Sequence, residues 1–144
     1  PQGIVDTLAF DTVVEADAGE PVRVIEESTA ADLRLMLENV ASQGGLAKRI
    51  AVPGYRIAMK TGTAEKPNVG GAGYKSVERF TSMAGFVPAE DPEYVIVVTL
   101  DEPTTVRSSS ATASAFQKAV TQVMKTYRVS PSTTPTDTSF PKTK

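Results

Sequence analysis

The stretch YRIAMKTGTAEKP, residues 55–67, carries a short apolar run that ends in Lys60 and passes at once into Thr61, Gly62 and Thr63. A buried strand gains nothing from a charge at its heart, and a plain turn does not require two threonines around a glycine. If the run Tyr55–Thr63 is a strand, alternation sends Lys60 and Gly62 to one face and Thr61 and Thr63 to the other. Gly62, without a side chain, lets another backbone or a ligand approach on the lysine's side. At a sheet edge, the strand's unpaired peptide groups could pair with an extended peptide. Such a strand offers a peptide a backbone rail, a cation for a carboxylate, and two hydroxyl groups.

Working outward, STAADLRLMLENVASQGG from Ser28 predicts a helix. Thr29 and Asp32 are spaced as a capping box, Leu33, Met36, Leu37 and Val40 recur at helical spacing, and Gly44 and Gly45 stop it. AVPG is a turn before the lysine strand, and EKPNVGGAGYKSVER, rich in glycine and charge, predicts a loop. FTSMAGFVP and EYVIVVTLD, joined by AEDP, predict two antiparallel strands. The second is apolar on both faces, which predicts a central position in its sheet. A last helix places Phe116, Val120, Val123 and Tyr127 on one face, as core.

The fold class expected is α/β (α+β), with helices covering a small antiparallel sheet. In that order of elements the run Val95–Leu100 has strand neighbours on one side only, and a bare apolar edge is an aggregation hazard. From Ser130 onward, 11 of the last 15 residues are Ser, Thr or Pro. The expectation is a folded portion over 1–129 and a disordered tail over 130–144.

Composition narrows the chemistry. The chain has 144 residues, 40% apolar, with 15 Lys and Arg against 17 Asp and Glu and no basic cluster in its first 130 residues, so no nucleic-acid partner is expected. It contains no cysteine and no histidine. Thiol catalysis, a Ser-His-Asp triad and the usual zinc site are therefore beyond its own means, and no metal or cofactor is expected. Acid-base work falls to lysine, tyrosine or carboxylates. No apolar run approaches the roughly 20 residues of a membrane span.

A Lys-Thr-Gly tripeptide alone is a weak signal, but its surroundings strengthen it. GGLAKRIAVPGYRIAMKTGTAE followed by FTSMAGFVPAEDPEYVIVVTLDEP closely resembles the C-terminal part of the transpeptidase domain of class B penicillin-binding proteins, from about Val24 to Pro131. The resemblance implies an enzyme that cleaves the D-Ala-D-Ala end of a peptidoglycan stem peptide through an acyl-serine, passes the acyl group to a neighbouring stem, and is acylated by β-lactams. It further implies that Lys60 supplies positive field and a proton path, that the hydroxyls of Thr61 and Thr63 meet the substrate carboxylate, and that the Thr63 backbone N–H is an oxyanion-hole donor. Gly62 would keep the cleft open. The protein would sit on the outer face of the cytoplasmic membrane, held by a segment absent from this chain.

This sequence departs from the family's pattern at several points. Met59 stands where glycine is usual, Leu46 where threonine is common, and SSSATASAF where a glycine-rich stretch and a proline are usual. The family's Ser-x-x-Lys and Ser-x-Asn motifs are missing: the only serines before Lys60, Ser28 and Ser42, read STAA and SQGG. The resemblance thus implies a further partner, an N-terminal remainder of the same protein that carries the nucleophile, and predicts that this chain alone is inactive.

Other candidates are weaker. GGAGYKS at 70–76 hints at a phosphate loop, but Tyr74 separates the glycine from Lys75. The pairs Glu26–Glu27 and Asp101–Glu102 are adjacent, so their side chains diverge and solvation is the simpler role. The alternative from another class is a non-catalytic penicillin-binding-like sensor or scaffold domain, which would carry the same Lys-Thr-Gly-Thr strand.

Overall fold

The computed structural model describes residues 23–134. Along them run α1 (Glu27–Gln43), a short α2 (Ala47–Ile50), β1 (Ala58–Pro67), β2 (Tyr74–Val87), β3 (Tyr94–Asp101), a single 3-10 turn (Ser109–Thr112) and α3 (Ala113–Thr126). The strands form one antiparallel sheet in the order β1-β2-β3, so the expected class of helices on an antiparallel sheet is the observed one. β2 is the central strand. β3, expected there, lies at an edge among the described residues, and its apolar outer residues Val95 and Val97 are 78% and 61% exposed.

One face of the sheet carries the core. Met59 of β1, Met83 and Val87 of β2, and Ile96 of β3 are buried with Phe116, Val120 and Val123 of α3. The stripe read from the sequence is thus the packed face of α3, with Tyr127 just past its end stacked on Tyr94 at 5.0 Å. α1 lies on the opposite side, where Ala30, Leu33 and Leu37 border a groove of about 560 Å³ with Phe86 and Val95.

Several local expectations are corrected. α1 begins before the supposed capping box: Glu26 is the N-cap, without a side-chain cap, and Thr29 and Asp32 lie inside the helix. Its fully buried residues are Glu38 and Ala41, whereas Leu33 and Met36 are 44% and 49% exposed. Glu38 is buried because the Arg56 guanidinium grips its carboxylate with two bonds, Nε–Oε1 2.5 Å and Nη2–Oε2 2.7 Å. That bidentate pair turns a carboxylate inward at a position where periodicity alone would place an apolar side chain.

The lysine strand starts at Ala58, not Tyr55, and continues to Pro67. The expected loop at 65–79 contracts to the turn 68–73, because β1 and β2 stay paired as far as Pro67 opposite Tyr74, with a register shift between Glu65 and Pro67. The charges that suggested a loop are strand residues joined in ion pairs, Arg79 to Glu65 and Lys66 to Asp101. GGAGYKS closes this hairpin and enters a strand, and it lacks the helix a phosphate loop requires.

Tyr55 and Arg56 serve instead to hold the segment after α3. Tyr55 Oη donates to the Val129 carbonyl at 2.8 Å, the Arg56 N–H donates to Ser132 Oγ at 3.0 Å, and the Ser132 N–H donates to the Gly54 carbonyl at 2.8 Å. Within the stretch 130–144 expected to be disordered, Ser132 is held by Gly54 and Arg56, and Thr134 accepts from the Arg56 guanidinium at 3.0 Å. Residues 135–144 lie outside the described residues.

The Glu38–Arg56 pair is 1% and 14% exposed, which makes its loss on one side expensive. Arg56→Ala should destabilise the protein by roughly 3 kcal/mol in urea denaturation, since it leaves Glu38 buried and unpaired, while Glu38→Leu with Arg56→Met should recover most of that. Equal losses in the single and double variants would show that the pair itself, and not the orphaned charge, carries the energy.

Candidate active site

The register of β1 on β2 decides what each residue of the motif faces. Lys60 lies opposite Ala84 and Gly62 opposite Ser82; Thr61 lies opposite Met83 and Thr63 opposite Thr81. Met83 and Thr81 are fully buried, so the threonines are on the core side of the strand and Lys60 is on the other, as alternation requires. Lys60 is exposed, and its ammonium donates to the Thr61 carbonyl at 2.9 Å.

Gly62 is needed for a specific neighbour. A Cβ at this position would stand 2.5 Å from Ser82 Oγ, so the absent side chain makes room for the serine hydroxyl from the adjacent strand. Met59, the departure beside the lysine, is accommodated in the same manner. Gly85 lies directly opposite it, and a Cβ there would fall 2.5 Å from the Ala58 carbonyl, 2.8 Å from Met59 Cβ and 2.8 Å from Phe116 Cζ. The space that Gly85 leaves open is shared by Met59 and the Phe116 ring.

Thr63 has a partner that the sequence did not reveal. Its Oγ1 accepts a hydrogen bond from the Ser109 backbone N–H at 3.1 Å, which draws the segment after β3 against the motif. Thr112 Oγ1 donates to the Ser109 carbonyl at 2.7 Å, and Ser108 and Ser110 pair through their hydroxyls at 2.7 Å, so the turn is fixed from within. The available signal was SSS in place of glycines, but its proximity to Thr63 follows only from the return of β3.

The far end of the β1–β2 hairpin is held by charge. Lys66 Nζ lies 2.6 Å from Asp101 and 2.9 Å from Glu102, and Lys75 lies 2.8 Å from the same Glu102 oxygen. Glu102, at φ +50°, has its carboxyl held down at about 2 by hydrogen bonds from Lys75 and Lys66. The Asp101–Glu102 pair is therefore a structural anchor; Glu26 and Glu27 begin α1.

The structure thus brings Lys60, Thr61, Gly62 and Thr63 together on an exposed strand that pairs only with β2 among the described residues. No described strand pairs with its other edge, where an extended chain would meet a cation on one side and hydroxyls on the other. No cluster of three or more metal-ligating side chains occurs among the described residues.

Residues 4–125 match the family model of the penicillin-binding protein transpeptidase domain. The chain is 38% identical over 122 residues to the penicillin-binding protein PbpB of Mycolicibacterium smegmatis, covering 80% of this chain and 19% of that protein. It is 33% identical over 131 residues to the peptidoglycan D,D-transpeptidase FtsI of Escherichia coli, covering 90% of this chain and 22% of that one. Among solved structures, penicillin-binding protein 3 of Mycobacterium tuberculosis, complexed with ampicillin, superposes with a TM-score of 0.64 at 31% identity, over 75% of this chain and 26% of that one.

The chain belongs to the penicillin-binding protein transpeptidase family. It corresponds to the C-terminal part of a class B transpeptidase domain and spans about a fifth of the length of these two relatives.

Two measurements check the geometry. Gly85→Ala should lower stability by about 1–3 kcal/mol in urea denaturation, and less so when Met59→Gly is also present, because one of its three close contacts is then removed. Additive losses would show that the two positions are independent. A carboxyl whose folded pKa is depressed contributes stability above its unfolded value and loses it as pH falls through the folded one. The tie at Glu102 should therefore be intact above about pH 4.5 and weaken towards pH 2. Its side-chain carboxyl should titrate near 2 by NMR and move upward in Lys75→Met; a midpoint near 4.5 in the unaltered protein would remove the tie.

Proposed function

We propose that this chain is the Lys-Thr-Gly-Thr wall of a peptidoglycan D,D-transpeptidase that works through an acyl-serine and is acylated by β-lactams. The single observation that supports this best is an exposed strand, unpaired along one edge among the described residues, that carries Lys60, Thr61, Gly62 and Thr63 in sequence. A stem peptide ending in D-Ala-D-Ala would lie along that edge, and its carboxylate would take hydrogen bonds from the hydroxyls of Thr61 and Thr63. Because Thr63 Oγ1 already accepts the Ser109 N–H, its own proton is free to be donated, which suits an anionic partner.

Lys60 would supply positive field and a proton path beside the nucleophile. The Thr63 N–H would be one donor of the oxyanion hole, where a donor lost elsewhere has cost about 3 kcal/mol of barrier. The nucleophile belongs to an N-terminal remainder that carries Ser-x-x-Lys and Ser-x-Asn, and this chain by itself is inactive. The exposed apolar side of β3 and its unpaired edge are the surfaces such a remainder would cover. No helix among the described residues is long and apolar enough to cross a membrane, and the proposed site on the outer face of the cytoplasmic membrane rests on an anchor elsewhere in the protein.

Intact-mass spectrometry after incubation with a penicillin tests the reading. The full-length protein should gain one adduct, its Lys60→Ala variant should do so at least roughly a hundredfold more slowly, and the 144-residue chain should gain none. An unmodified full-length protein would favour the non-catalytic sensor or scaffold, and an adduct on the short chain would sink the assignment of the nucleophile to the remainder.

A further inference from the structure

α2 packs against α3, and Gln117 Nε2 of α3 donates to the Ala51 carbonyl at the end of α2 at 3.1 Å. Every charged residue of these two helices is a cation: Lys48 and Arg49 in α2, Lys118 and Lys125 in α3. Lys118 and Lys125 are seven residues apart. They therefore share one side of α3, about 10 Å apart along its axis. That side points away from the buried Phe116, Val120 and Val123. The Gln117 bond joins the turn of α3 that carries Lys118 to the turn of α2 that carries Lys48 and Arg49.

All four cations are exposed, and none makes an ion pair or a side-chain hydrogen bond among the described residues. No acid interrupts the flanking chain either: none occurs from Asn39 to Ala64 or from Pro103 to Thr134. In a chain of net charge −2 this is a segregation of charge that the fold brings about, since α2 and α3 are far apart in sequence. The face also lacks an apolar anchor, because none of the large exposed hydrophobic residues belongs to α2 or α3. It is therefore built neither as a protein hot spot nor as an interfacial membrane helix. Four unpaired cations spread over two helices suit a repeating anion, attracted over a distance and held without a pocket.

We propose that the outer face of α2 and α3 holds the polymeric substrate, an uncross-linked peptidoglycan strand whose many stem peptides each end in a carboxylate. This deepens the transpeptidase reading and rests on it. α3 leads directly from the turn whose Ser109 N–H meets Thr63, and Lys118 stands nine residues past Ser109. That spacing is about 15 Å along the helical path. One strand can thus present a stem peptide at the β1 edge while the carboxylates of its other stems lie over the cations. The face acts on the strand and not on the reacting bond, so a small β-lactam does not use it.

The test uses the full-length protein, first acylated with a penicillin so that its site is closed, and reads the affinity for labelled uncross-linked strands by fluorescence anisotropy. The variant carries Lys48→Gln, Arg49→Gln, Lys118→Gln and Lys125→Gln together. It should bind strands at least roughly tenfold more weakly, while its rate of acylation by penicillin stays within about twofold, which also shows that it folds. Binding by the unaltered protein should weaken as salt is raised and when the strand carboxylates are amidated. Equal binding by the variant, or binding indifferent to amidation, overturns the inference while the enzyme reading stands. Binding to phosphatidylglycerol vesicles but not to strands, lost in the variant, would make this a membrane surface and overturn it as well. If penicillin does not acylate the unaltered full-length protein, the transpeptidase reading fails and this inference fails with it.

Discussion

The register between β1 and β2 decides which side of the sheet each functional group occupies, and it is set by Met59 packing opposite Gly85 against the ring of Phe116. Side chains alternate along a strand, so a slip of one residue would exchange the two faces. Lys60 would then enter the core in place of Met59, which is 1% exposed, and its ammonium would lose hydration with no partner in the apolar cluster. The alternative register is thus excluded by the cost of burying a charge, and the native one is allowed by the missing side chain at position 85. The placement of Ser82 beside Gly62 and of Thr81 behind Thr63 follows from the same choice. A methionine where the family usually has glycine is therefore compatible with the motif, since its bulk goes into the core side and away from the lysine.

The strand is restrained at its start, middle and end by interactions of different character. At the start, the Glu38–Arg56 pair is nearly withdrawn from water, so it is insensitive to salt and intolerant of the loss of either partner. In the middle, one backbone N–H from Ser109 meets Thr63. At the end, Lys66 and Lys75 hold Asp101 and Glu102 in partly exposed pairs, which water and salt weaken. The motif accordingly sits between a rigid root and an arm whose attachment depends on conditions.

Much of the fold was legible because local patterns coincided with tertiary ones. α3 was read correctly since Phe116, Val120 and Val123 repeat at helical spacing and all face the sheet, and the strands followed from alternation and turn residues. What was misread depended on partners distant in sequence. Glu38 looks like a solvated helix residue until Arg56, 18 positions later, reaches it. Glu65, Lys66 and Arg79 look like loop residues because their stabilisation is across strands, not along them. The motif itself was visible as a strand with two faces, and the resemblance pointed to the family that the comparisons show. The contact of Ser109 with Thr63, 46 residues apart, had no local signature at all.

The two sides of β1 differ in how complete they are, and this bears on how a transpeptidase site would be assembled. The threonine side is finished by the chain's own residues: Met83 and Thr81 are fully buried beneath it and the Ser109 turn closes against it. On the lysine side Val95 and Val97 stay 78% and 61% exposed, Phe80 stays 40% exposed, and Ala84 opposite Lys60 is exposed as well. The surroundings of Thr61 and Thr63 are thus built locally, whereas those of Lys60 are not. In the proposed reading, the segment that brings a serine to Lys60 must also cover this apolar surface, and burial at about 25 cal/mol per Å² supplies the driving force for doing so. Closing the sheet and completing the catalytic pair then become one event. In that same reading, a change that weakens packing over Val95 and Val97 would separate Lys60 from the proposed nucleophile while leaving the threonine side of the strand intact.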